Sequence, residues 1–160
     1  FADFRGARRR FEKIGETGGA IIISDYAHHP AAVRQTIEAA KKFYPGKKIL
    51  AVFQPHQEDR TKKLFNEFVQ SFNSADEVII SEIYSVAGRE SRLKRTMSSF
   101  DLVKAIKKTG YSPVSFAKNL EETKKIILEK LSAESAEAKL SRIILIMGAG
   151  DIFKVAEDLS

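Results

Sequence analysis

The stretch Ala20-Ile21-Ile22-Ile23-Ser24-Asp25-Tyr26-Ala27-His28-His29-Pro30 decides the fold. Its apolar run, Ala20 to Ile23, follows Gly18-Gly19 and predicts a buried strand over residues 20–25. Just beyond it, Val33, Ile37, Ala40 and Tyr44 fall at the three-to-four spacing of one apolar helix face. Pro30 suits the first turn of that helix, where its missing N–H costs nothing. A strand therefore ends, and a helix begins, inside this stretch. In an open parallel sheet, that carboxyl edge is where ligands bind. A carboxylate, a phenol and two imidazoles are gathered there.

The same alternation continues down the chain. Pro45-Gly46 closes the first helix, and Lys48 to Phe53 is a second apolar run ending in Gln54-Pro55-His56. Leu64, Phe65, Phe68, Val69 and Phe72 mark one further helix, and Glu77 to Ile80 a third strand. A long loop is expected from Ser81 to Ser98, then a helix carrying Phe100, Val103 and Ile106. Pro113 to Phe116 reads as a short strand. Leu120, Lys124, Ile127 and Leu131 read as a helix, and Ser132 to Lys139 as a polar linker. Ile143 to Met147 is the most hydrophobic strand, followed by Gly148-Ala149-Gly150-Asp151 and a last helix through Ile152, Val155 and Leu159. Residues 1–18 are expected to form an irregular arm or a short edge hairpin. Strands that are continuous apolar runs are covered on both faces and joined by right-handed helical crossovers. The reading is an α/β fold: a Rossmann-like three-layer domain with a five- to six-stranded, mainly parallel sheet.

Composition narrows the possibilities. A chain of 160 residues, 43% apolar and 30% charged, is sized for one globular domain. It has no apolar run of about 18 residues, so no transmembrane helix is expected. Arg5 to Arg10 have no apolar segment behind them, so no signal peptide is read here. No cysteine is present, which excludes disulfides and thiolate metal sites and fits a cytoplasmic protein. The formal charge is +6, favouring anionic partners. The opening Phe1-Ala2-Asp3-Phe4 is not an initiator sequence, and the chain is expected to be the back end of a longer protein.

Four clusters offer chemistry, each with a plainer alternative. Asp25 can accept from ribose hydroxyls, Tyr26 can stack on a base, and His28 or His29 can orient or deprotonate an amine. Alternatively, Asp25 caps the following helix. His56, with Arg60 a turn later, suits a carboxylate, for which arginine provides a planar charged fork. Alternatively, Glu58, Asp59 and Arg60 are an exposed helix start with local ion pairs. Gly148-Ala149-Gly150-Asp151 permits close backbone approach to a ligand or to another segment. It lacks the third glycine of the dinucleotide fingerprint, with Lys154 in that place, so NAD binding is not predicted. Arg5, Arg8, Arg9 and Arg10 can grip phosphates or stand solvated. The three histidines, His28, His29 and His56, contain no pair at helical ligand spacing, and no metal site is expected.

Taken together, these motifs resemble the C-terminal domain of a Mur ligase, in its alanine-adding branch. The resemblance lies in Phe4, Gly6, Arg9, Arg10, Phe11 and Glu12, then Asp25 to Pro30, then Phe53 to Thr61. Gly148 to Asp151 matches the family's late G-A-G turn, so the similarity spans essentially the whole chain, 1–160, with 1–18 as the arm following a central ATPase domain.

The resemblance implies an ATP-dependent ligase joining L-alanine to UDP-N-acetylmuramate in peptidoglycan synthesis. ATP would activate the lactyl carboxylate as an acyl phosphate, which the alanine amine attacks. Arg10, Asp25 and Tyr26 would contact ATP, with Asp25 at the ribose and Tyr26 near the adenine. His28, His56 and Arg60 would face the amino acid, Arg60 its carboxylate. ATP and Mg2+ would be held mainly by the central domain, and the UDP-sugar by the N-terminal and central domains. No GxxxxGK[ST] loop occurs in this chain, so by itself it is expected to be inactive. Two positions depart from the family: Gln57 replaces a common arginine, and Ser24 a common aspartate. The rival assignments are the murein-peptide ligase that attaches a tripeptide, and a non-catalytic nucleotide- or nucleic-acid-binding module built on the Arg5 to Arg10 cluster.

Overall fold

The structure, a computed structural model, describes residues 9–85 and 96–160. Among these, six strands form one sheet: β1 (Glu12–Thr17), β2 (Ala20–Asp25), β3 (Lys48–Phe53), β4 (Glu77–Ser81), β5 (Val114–Ala117) and β6 (Arg142–Met147). Their order across the sheet is β1-β2-β6-β3-β4-β5. β1 runs antiparallel to β2 as an edge hairpin, and every other neighbouring pair is parallel. The Rossmann-like α/β reading holds, with β2 and β3 at the predicted bounds. The hairpin turns on Gly18 and Gly19, both at positive φ, which a glycine adopts without penalty.

Seven helices flank the sheet among the described residues: α1 (Pro30–Phe43), α2 (Glu58–Lys63), α3 (Phe65–Ser71), α4 (Ser99–Thr109), α5 (Leu120–Ser132), α6 (Ala136–Leu140) and α7 (Phe153–Leu159). Each apolar strand run divides by its period of two. Ile23, Ile49, Phe53, Ile80 and Leu145 face one core, shared with Ile37 of α1, Phe68 of α3 and Ile106 of α4. Ile22, Val52, Ile79, Ile144 and Ile146 face the other, with Ile127 of α5 and Val155 of α7. Burying one such side chain stabilises by roughly 1.5–3 kcal/mol, so a strand covered on both faces gains at every position. β6 is last in sequence yet sits between β2 and β3, and Ile143 to Met147 are wholly buried.

Local signals explain the helix bounds. Pro30 opens α1, its buried residues are Pro30, Val33, Ile37 and Ala40, and Lys41 and Lys42 complement its carboxyl end. Ser98 and Asp101 form a capping box at the start of α4, and Gly110, at φ 70°, ends it.

Three expectations need correction. The helix marked by Leu64 to Phe72 is preceded by a separate helix, α2, and the two meet at Leu64 (φ −108°, ψ 21°). The charged α2 buries only Thr61, whereas α3 turns Phe68 and Val69 to the core. In α4, Phe100 is exposed, and Leu102, Val103 and Ile106 are the buried residues. Phe100 packs edge-on against Phe116 instead, with Lys104 over its ring. The linker from Ser132 to Lys139 contains the start of α6, capped by the Ser135 hydroxyl accepting from the Ala138 N–H. Of the expected 81–98 loop, Ser81 belongs to β4, and residues 86–95 lie outside those described. Arg5 and Arg8 lie outside them too.

Candidate functional site

The carboxyl ends of β2, β6, β3 and β4 form one rim. Asp25 and Phe53 both pair with Met147, and Ile80 pairs with Phe53. Strands lie about 4.8 Å apart, so the ends of β2 and β3 are about 10 Å apart, with the β6 end between them. The segments leaving these ends carry most of the residues singled out in the sequence.

At the β2 end, the Asp25 carboxylate accepts the Phe11 N–H at 2.8 Å and the Ala27 N–H at 2.7 Å. The Thr36 hydroxyl lies at 3.5 Å from the same group. Asp25 therefore does not cap α1, whose N-cap is His29 without a side-chain bond. It holds the lead-in to β1 against the end of β2, and a carboxylate retains further acceptor sites beyond these. Tyr26 is 42% exposed. The Arg9 guanidinium lies 5.0 Å from its centroid and the His28 ring meets it edge-to-face at 5.2 Å. His28 Nδ1 lies 3.0 Å from the Tyr26 carbonyl, which orients the imidazole. His29 is exposed.

At the β3 end, Gln54 is buried, and His56 is half-buried. The His56 ring stacks on Tyr84 at 5.3 Å, and their backbones form a parallel bridge. Gln57 is held at φ 68°. Its N–H donates to the Tyr84 carbonyl, while its own carbonyl accepts the Thr61 N–H and hydroxyl. This turn starts α2, on which Arg60 is half-buried.

Between these ends lies the turn after β6. Gly148 and Gly150 are there because the turn is pressed against the β3 end. A Cβ on Gly150 would lie 2.5 Å from Tyr84 Cγ and 2.8 Å from Gln54 Oε1. A Cβ on Gly148 would meet Ile152 Cγ2 at 2.8 Å. The close approach that the two glycines permit is thus to the protein's own Gln54 and Tyr84. Arg9 reaches the same turn, its Nη1 donating to the Gly150 carbonyl at 3.2 Å.

The rim therefore brings together Asp25, Tyr26 and His28 on one side and His56 and Arg60 on the other. Arg10 is exposed in the lead-in beside Asp25. Sequence reasoning gave Arg9 only a share in a phosphate-gripping cluster, named Gln54 without a role, and passed over Tyr84. Gln54 carried a signal, being an amide directly after a buried run. Tyr84 carried none, because its role depends on the β4 end meeting the β3 end. Among the described residues no group of three His, Asp or Glu side chains could hold a metal ion, and no helix is long and apolar enough to cross a membrane.

A mainly parallel sheet, helices on both faces, and polar segments crowded at the carboxyl ends of its central strands define a Rossmann-like domain with a ligand-facing rim. The family model described as Mur ligase, glutamate ligase domain, matches residues 9–150. The chain belongs to the Mur ligase family, as its C-terminal domain. It is 44% identical over 156 residues to UDP-N-acetylmuramate–L-alanine ligase of Desulfitobacterium hafniense (strain Y51), covering 98% of this chain and 32% of that protein. The crystal structure of UDP-N-acetylmuramate-alanine ligase MurC from Thermotoga maritima matches with a TM-score of 0.72 at 26% identity, covering 98% of this chain and 30% of that one. A murein peptide ligase from Psychrobacter arcticus 273-4 shares the fold, with a TM-score of 0.68 at 22% identity over 99% of this chain and 32% of that one. The chain spans about a third of the length of the curated relatives it matches.

Proposed function

We propose that this chain is the amino-acid- and nucleotide-contacting C-terminal domain, 1–160, of an ATP-dependent ligase joining L-alanine to UDP-N-acetylmuramate. The observation that carries this reading is the rim itself. Two segments distant in sequence, Asp25 to Pro30 and Gln54 to Arg60, flank the turn at Gly148 there, in a chain 44% identical to a ligase of that name.

The residues fit a nucleotide and an amino acid. Tyr26 offers a half-exposed ring for an adenine, Asp25 keeps acceptor capacity for a ribose, and Arg10 is exposed for phosphates. His28, His56 and Arg60 provide two imidazoles and a permanent cation for the amino acid, with Arg60 at its carboxylate. ATP and Mg2+ are assigned mainly to a preceding central domain, as the family resemblance implies. ATP supplies the phosphoryl group that makes the lactyl carboxylate an acyl phosphate. The work of this domain is to hold the alanine amine against that carbonyl when it closes on its partner domains. Orientation of this kind replaces a bimolecular encounter and lowers the barrier by removing entropy beforehand. Gln57, a neutral amide where the family resemblance implies arginine, leaves Arg60 as the cation for the substrate carboxylate.

The test is phosphate release by the full-length protein with UDP-N-acetylmuramate, ATP and either L-alanine or the murein tripeptide. Release with L-alanine is expected. Release with the tripeptide alone would assign the chain to the recycling ligase instead. The 160-residue chain alone is expected to release none, because it carries no phosphate loop.

A further inference from the structure

The three non-glycine residues with positive φ among those described are Arg9 (68°), Phe11 (46°) and Gln57 (68°), and all three lie at the rim. Side chains rarely tolerate this conformation, and it persists only where surrounding contacts over-determine it. Two of the three flank Arg10. Their contacts are unusually complete for a lead-in segment. The Arg9 carbonyl accepts the Tyr26 N–H at 2.6 Å, and its N–H donates to Glu12 Oε2 at 3.1 Å. Its guanidinium lies 4.5 Å from the Phe153 centroid and 5.0 Å from that of Tyr26, and bonds the Gly150 carbonyl at 3.2 Å. The Phe11 N–H is fixed on Asp25, and its ring packs 5.4 Å from Phe43. Arg10, between them, is exposed and has no side-chain hydrogen bond or ion pair among the described residues.

We infer that Arg9 is a positioning residue: its guanidinium, wedged between Tyr26 and Phe153 and bonded to Gly150, locks the backbone that presents Arg10 to the nucleotide phosphates. This rests on the proposed function, and it goes further by giving the neighbouring arginines different work. Arg9 is spent on the protein, using its flat face on aromatic rings and its Nη1 donor on a carbonyl. Arg10 is left for an outside anion. The lock also ties three elements that a ligand would meet, the ends of β2 and β6 and the start of α7. Lysine would keep the charge but not the flat face that stacks on rings or the planar set of donors.

The experiment uses the full-length enzyme with Arg9→Ala, Arg9→Lys, Arg10→Ala and the double variant Arg9→Ala/Arg10→Ala. The KM for ATP, the KM for L-alanine and the Tm are measured for each. Arg10→Ala is expected to raise the KM for ATP about 10-fold or more, as for loss of a hydrogen bond to a charged group. Arg9→Ala and Arg9→Lys are expected to raise it comparably, with the KM for L-alanine within about 2-fold. The double variant is expected to be no worse than Arg10→Ala by more than about 2-fold, because Arg9 acts through Arg10. Additive effects of the two substitutions would overturn the inference, since a merely structural role adds. So would a wild-type KM for ATP in Arg9→Lys; that variant carries the test if Arg9→Ala fails to fold. If Arg10→Ala itself leaves the KM for ATP unchanged, the nucleotide reading of Arg10 fails and the inference falls with it.

Discussion

Gln54 and Asp151 are joined side chain to side chain, Gln54 Nε2 donating to Asp151 Oδ1 over 3.0 Å. The other end of the same amide, Oε1, accepts the Ile152 N–H at 3.2 Å. One buried side chain thus fastens the end of β3 to the turn after β6, using both a donor and an acceptor. Replacing it with a group of similar length but one function missing is costly, because a buried partner is left unsatisfied. Gln54→Leu is expected to lower stability by about 1–3 kcal/mol, read from the urea midpoint. Gln54→Glu keeps the acceptor but sets a second carboxylate against Asp151. It is expected to be less stable than wild type at pH 7, with the deficit shrinking towards pH 4 as the added carboxyl protonates.

Gly150 makes the complementary case, where the constraint is space. Its φ is not in the left-handed region, so alanine is acceptable to the backbone there. The obstruction is Tyr84 Cγ at 2.5 Å and Gln54 Oε1 at 2.8 Å from the added Cβ. Gly150→Ala is expected to cost about 1–3 kcal/mol, in the range of overpacked sites. Tyr84→Ala removes the ring atom at 2.5 Å, leaving the Cβ of residue 84 at 2.9 Å and Gln54 Oε1 at 2.8 Å. The double variant is therefore expected to lose less than the sum of the two single losses, by thermal or urea unfolding. Strict additivity would mean that the turn does not press on the Tyr84 ring.

How far the sequence reveals this arrangement depends on where each interaction lies along the chain. β2, β3 and β6 are legible because strands buried on both faces are written as local apolar runs, and Pro30, Pro45 and Gly46 punctuate them. The strand order is not local: β6 enters between β2 and β3 through pairings of Ile22 with Ile144 and Leu50 with Ile144, residues roughly 90–120 positions apart. Phe100 misled for a related reason. Its spacing fits a buried face, but Phe116 and Lys104 offer it a surface niche, and Leu102 takes the core position. At the rim, Asp25, His28 and His56 stood out by type and by place at strand ends. The division of labour between Arg9 and Arg10 did not, because only the packing of Phe153 and Gly150 against the lead-in separates two adjacent arginines.

The capping box of α4 gives a pH test. The Ser98 N–H bonded to Asp101, with Lys104 beside it, holds the Asp101 carboxyl below its ordinary 3.8, against a smaller opposing effect of burial. A carboxyl whose folded pKa is depressed stabilises the fold fully above its unfolded pKa, and that contribution is lost as pH falls through the folded pKa. Asp101→Asn is therefore expected to be less stable than wild type at pH 7. The gap should stay constant down to about pH 4 and close below it. Urea midpoints of the two proteins between pH 7 and pH 2.5 measure it. A gap that persists unchanged at the acid end would assign the loss to packing and not to charge.

Glu58 extends the same logic to the side of the rim that carries Arg60. Its Oε1 accepts the Thr96 N–H and hydroxyl, each at 2.8 Å, and the Met97 N–H at 2.9 Å. Lys62, one turn along α2, bonds the Thr96 hydroxyl as well. Burial works against the ionised form, but the bonds from Thr96 and Met97, with Lys62 nearby, win and hold the Glu58 carboxyl below its ordinary 4.5. The tie between α2 and residues 96–97 is thus complete above the unfolded pKa and loosens as pH falls through the folded one. Amide shifts of Thr96 and Met97, followed by NMR from pH 7 to pH 3, are expected to move together with a midpoint below 4.5. In Glu58→Gln the same amides are expected to be flat across that window, since the side chain no longer titrates. An inflection at or above 4.5 in the wild-type chain, or the same inflection in Glu58→Gln, would mean that another group governs this junction.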